Sequence, residues 1–71
     1  MTMARKLHPE VWVDLNGTED RMVIVGRVTN AMRVRAVPDS RIQEFREQTY
    51  KMKNLDDLLA LCRRWVEVTR D

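Results

Sequence analysis

The sequence predicts an α+β domain: a three-stranded antiparallel β-meander followed by two α-helices packed on one sheet face. Three features predict it. Residues 10–15, EVWVDL, alternate strictly, with aliphatic Val11, Val13 and Leu15 on one side and Trp12 and Asp14 on the other, and run into Asn16-Gly17, the dipeptide best suited to a type I′ hairpin turn. Residues 21–37, RMVIVGRVTNAMRVRAV, are rich in β-branched residues and carry an Asn-centred break. Beyond residue 38 the apolar spacing becomes that of amphipathic helices.

A chain of 71 residues has room for one domain, and a domain this small buries only about 60 % of the surface its unfolded form exposes. Residues 1–9, with Arg5, Lys6 and His8, show no periodicity and read as a flexible basic arm ahead of a single domain over 10–71. The single cysteine excludes an internal disulfide and the lone histidine leaves no metal-ligand set, so a homodimer is the expected supplement to a thin core. Hydrophobic residues at 44 % against two glycines and two prolines fit an ordered chain. No run approaches the ~18 apolar residues of a membrane span, and the basic N-terminus is followed by no apolar core of a signal peptide. A cytoplasmic protein without membrane contact is expected.

In the first strand Val11, Val13 and Leu15 share a side, opposite Trp12 and Asp14. Counting across the Asn16-Gly17 turn puts Met22 and Ile24 with the valines, and Arg21 and Val23 with Trp12. The second turn, near Thr29-Asn30-Ala31, lacks glycine, and an odd loop there keeps Met32, Val34 and Ala36 on the apolar side. The opposite side then holds Trp12, Val23, Val25, Arg27, Arg33 and Arg35. After Pro38, Ser40 with Gln43 fits a capping box, with Asp39 the cap if the start lies one residue earlier. Ile42, Phe45, Thr49 and Met52 form one face of a helix to about Met52. Asn54 caps a second helix, LDDLLALCRRWVEV, with Asp56 and Asp57 in its first turn and a broad stripe of Leu55, Leu58, Leu59, Cys62, Trp65 and Val66.

The net charge is only +2, yet residues 21–37 hold four arginines and no acid. Arg27, Arg33 and Arg35, with Arg21, Trp12, Val23 and Val25, therefore make a candidate binding face. Arginine forks suit phosphates and guanine edges, which points to DNA. An aromatic and valines amid arginine equally suit a protein target, which the chain would inhibit or adapt.

From Met32 to Val68 the order MRVRAV, PDSRIQEF, then an Asn-capped LDDLLALCRRWVEV resembles a ribbon-helix-helix DNA-binding unit, whose short strand pairs with a dimer mate and enters the major groove. The resemblance implies that Arg33 and Arg35 read bases.

Nothing in the sequence points to catalysis. Cys62 lies within an apolar helical stripe, where a thiol has no reason to ionise. His8 sits beside Pro9 with no second base or ligand and is expected to be exposed. Asp56 and Asp57 point in different directions on a helix and serve its start. Phosphate-binding loops, dinucleotide fingerprints, nucleophile elbows and C-x-x-C pairs do not occur, so neither cofactor nor small-molecule substrate is expected. Trp65 is expected in the core, with its indole N–H seeking a partner at the edge.

Overall fold

The computed structural model describes residues 6–70. It is an α+β domain in the order β1 (His8–Asp14), α1 (Arg21–Val34), α2 (Asp39–Thr49), α3 (Leu55–Trp65) and β2 (Val66–Thr69). The two strands pair in parallel, with Trp12 opposite Glu67, Val13 opposite Val68 and Asp14 opposite Thr69, and an irregularity between His8 and Trp12. Parallel partners need a crossover, and here all three helices supply it. The antiparallel meander is thereby overturned, together with its hairpin turns and the strands assigned within 21–37.

That basic stretch is α1. Asp20 caps it, its carboxylate accepting the Met22 N–H at 2.9 Å. Ile24, Val28 and Met32 are fully buried. Their spacing of four explains the misreading: it satisfies the 3.6-residue helical repeat and also falls on alternate positions, so a period of two fits the same residues. The Asn16-Gly17 turn does form, with Gly17 at φ +77° and the Asn16 N–H donating to Asp14 Oδ1 at 2.8 Å, but it leads to a helix.

Helix α1 ends in a Schellman motif. The Val37 N–H donates to Met32 O at 2.9 Å and the Ala36 N–H to Arg33 O at 3.0 Å, with Met32 and Val37 both buried. The motif needs a left-handed residue, and Ala36 takes that place at φ +59°. Glycine there relieves a strain of about 1–2 kcal/mol against an unfolded-state entropy cost of about 0.4–1 kcal/mol. Ala36→Gly is expected to stabilise the fold by about 0.5–1 kcal/mol, read as a higher urea midpoint at constant slope. An unchanged or lower midpoint would count against the left-handed cap.

Helix α2 begins at Asp39 with Pro38 at the cap position and no side-chain cap, so Ser40 lies inside the first turn. Ile42, Phe45 and Thr49 are buried as the spacing requires. In α3 the Asn54 side chain accepts the Asp57 N–H at 2.8 Å, and Asp56 and Asp57 occupy the first turn. The helix stops at Trp65, whereas the sequence reading carried it through Val68; Val66 is extended at φ −141° and pairs with β1. Strand pairing prevails because Val66, Val68 and Thr69 are β-branched and β1 lies within reach.

Residues 1–5 of the expected arm lie outside the described residues, but His8 and Pro9 belong to β1. Ahead of it, the Leu7 N–H donates to Arg64 O at 2.9 Å and Lys6 Nζ to Arg63 O at 2.6 Å. Both act on orphan carbonyls at the negative end of α3. Val11, Val13 and Leu15 turn inward to meet Ile24, Val28, Phe45, Leu58, Cys62 and Trp65 in one core.

A candidate binding cleft between the first two helices

The residues expected to form one Trp-and-arginine face are dispersed. Trp12 is 65 % exposed, but on the outer sheet face, across the ladder from Glu67. Val23 and Val25 are on α1, Val25 half-buried against the core. The Arg27 guanidinium donates to Asp14 O at 3.2 Å, tying α1 to the end of β1. Arg33 is exposed in the last turn of α1 and Arg35 caps it. Near the start of β1, the Glu10 carboxyl is held below its ordinary value, chiefly by a backbone hydrogen bond, with help from His8 and Arg35. With Met32–Val34 in the last turn of α1 and residues 35–37 forming its cap and the turn beyond, the ribbon of the ribbon-helix-helix resemblance is missing.

Arg21 does something the sequence did not suggest. Its guanidinium donates to Thr49 O at 2.6 Å and Met52 O at 2.9 Å, so it caps the C-terminal end of α2 from the first turn of α1. The bridging arginine also lines a cleft of about 250 Å³ between the two helices. Met22, Val25, Gly26 and Thr29 line it from α1, and Arg46, Thr49 and Tyr50 from α2 and its cap. Met22 and Tyr50 are 81 % and 75 % exposed. Thr29 is buried, and its hydroxyl donates to Gly26 O at 3.1 Å. Gly26 stands in the helix interior, yet a Cβ there would meet nothing within 4 Å.

Of these residues the sequence reading singled out Arg21 and Val25 for binding and Thr49 for the core. Met22 falls on the apolar side of a strand in that reading. Met22 and Gly26 stand four residues apart, the spacing of neighbours on one helix face, and the strand reading conceals that signal.

Cys62 is fully buried and its thiol is pushed up to about 11, burial outweighing the opposing pull of Arg63 and a backbone hydrogen bond. At neutral pH it is a protonated thiol and no nucleophile. The shift makes folding pH-dependent: between the ordinary value of 9.0 and about 11 the unfolded chain releases the proton while the folded chain keeps it. Stability contributed below pH 9 is therefore lost as pH rises through that window. Urea melts at pH 7.5 and 10.5 should show a larger drop for the native chain than for Cys62→Ala. Equal drops would remove Cys62 from the alkaline response.

His8 is not exposed as expected. Its ring stacks on Trp65 with centroids 5.9 Å apart, Nδ1 lies 3.3 Å from the Glu10 carboxylate, and Nε2 is buried without a hydrogen-bond partner among the described residues. Among the described residues no three His, Cys, Asp or Glu side chains stand together as a metal site, and no helix is long and apolar enough to cross a membrane. Comparison with protein-family models, with curated proteins and with solved structures finds no match.

Proposed function

We propose that this chain is a non-catalytic binding protein of the cytosol whose partner is another protein, held in the α1–α2 cleft. The observation that carries this reading is the exposure of Met22 and Tyr50 on either side of an open apolar cleft. Large apolar side chains grouped around a concavity mark interaction surfaces, and Tyr, Met and Arg are the types enriched there. The arginines support it by default: Arg21, Arg27 and Arg70 spend their guanidinium groups on backbone carbonyls of this same chain. They are less available to phosphates than a strand face of free arginines would be.

DNA is the second reading, favoured by one feature: α1 contains no acidic residue, and Arg33 and Arg35 are exposed at its end. The two separate by capture on the full chain with and without nuclease, and by titration with duplex DNA over a range of salt. Protein binding predicts nuclease-resistant capture that Met22→Ser/Tyr50→Ser abolishes, since a central tyrosine anchor is worth about 2 kcal/mol or more. Both residues are exposed, so the double variant keeps its fold. DNA binding instead predicts affinity falling with salt at a log–log slope of about −0.9 per phosphate contact, flattened by roughly one in Arg33→Ala. That result, with capture abolished by nuclease, replaces the protein reading. Sedimentation equilibrium at micromolar concentration tests whether the partner is a second copy, in which case the native chain is a dimer and the double variant is not.

A further inference from the structure

We infer that the cleft takes an amphipathic helix with acidic flanks from a partner protein, an inference that rests on the cleft being a protein-binding site. Three observations select this occupant. The first is charge. Two arginines and no carboxylate line the cleft. The nearby Asp20 carboxylate is engaged by the Met22 N–H, and the carbonyls at the end of α2 already receive Arg21. The Arg46 guanidinium has no partner among the described residues, so the uncompensated charge at the cleft is positive and its complement is an acid.

The second is the kind of wall. Both sides are helices, whose backbone groups pair within the helix or, at the two ends that meet here, with the Asp20 carboxylate and the Arg21 guanidinium, so they offer nothing to an added strand. Side chains alone must make the contact, as when a helix lies in a groove. From Met22 to Thr29 the α1 wall is two turns long, roughly 10 Å at 1.5 Å per residue. That length matches apolar anchors spaced i, i+3 or i+4, and i+7 on the occupant. The volume of about 250 Å³ lies below the ~300–1,000 Å³ of small-molecule pockets.

The third is Gly26. Glycine in a helix interior is unfavourable, and nothing in this chain occupies the space its missing Cβ leaves. The fold does not require glycine at 26, whereas a helix lying close against α1 does.

The test displays two libraries to the full chain: amphipathic helices of fixed leucine stripe with randomised flanks, and unstructured random peptides. Both are counter-selected on Gly26→Leu. That variant should fold with a Tm at or a few degrees above the native one, since leucine is the better helix former and open space receives it. The expected result is enrichment of helical binders with Asp or Glu beside the stripe. Arg46→Glu should weaken them at least tenfold, and exchanging the peptide's acid for lysine should restore binding to that variant. Cleft-dependent binders that are basic, neutral or drawn only from the unstructured library overturn the acidic helix and leave the protein-binding cleft standing. Absence of any binder that distinguishes the native chain from Gly26→Leu overturns both.

Discussion

Trp65→Ala is expected to lower the unfolding free energy by about 3–5 kcal/mol, the usual cost of emptying a large aromatic site in a core. Trp65 is 1 % exposed and is held on every side. His8 stacks on it, Phe45 meets it edge-on with centroids 5.5 Å apart, and the Arg41 guanidinium lies 5.1 Å from the ring centre. Its indole N–H donates to Gln48 Oε1 at 3.1 Å. Removal therefore opens a cavity where β1, α2 and α3 meet and also leaves Gln48 without its donor. A chain of this length is stabilised by roughly 4–10 kcal/mol in total, so the loss takes a large share of the whole and the urea midpoint should fall steeply. Circular dichroism in urea, which does not depend on the lost fluorophore, measures it. A loss under about 1.5 kcal/mol with unchanged slope would mean that the ring is not the junction described.

Arg70→Ala should cost about 2 kcal/mol, because hydrogen bonds from a charged donor contribute more than neutral ones. Arg70 Nη1 donates to Leu15 O at 2.9 Å and Thr18 O at 2.6 Å. Those carbonyls flank the Asn16-Gly17 turn, so a residue just past β2 fastens the loop that leads from β1 into α1. Hydrogen exchange at the turn and at the first turn of α1 should accelerate in Arg70→Ala, while the α3 amides slow or quicken only with global stability. A uniform change across the chain would indicate that Arg70 adds charge alone and holds no loop. Arg70→Lys separates the two further, since lysine keeps the charge without the planar fork.

Where one local cause decided the structure, the sequence was readable. The Asn54 cap with Asp56 and Asp57, the buried face of α2, the inward side of β1 and the burial of Cys62 and Trp65 all follow from side-chain type and spacing within a few residues. Even the indole partner of Trp65, sought at the core's edge, is present as Gln48. Over residues 21–37 two periods fitted equally, and β-branched content tipped the reading to strand. Helix prevails there because Asp20 nucleates it and because only a helix brings Ile24, Val28 and Met32 together against β1, α2 and α3.

The candidate site was the less legible part for the same reason. Reading 21–37 as strand arranged Trp12 and the arginines by alternation, and the helix rearranged them by turns of 3.6. What the sequence determined by itself is an α+β chain with helices over its second half, an inward apolar side to its first strand and no internal disulfide, since each rests on composition or a local pattern. Only the tertiary structure decided that the chain's end returns to pair in parallel with β1, that Arg21, Arg27 and Arg70 serve carbonyls distant in sequence, and that Met22, Gly26 and Tyr50 face one cleft. Those outcomes join residues that are far apart in the chain, and no local propensity encodes which distant partner will satisfy a free strand edge or an orphan carbonyl.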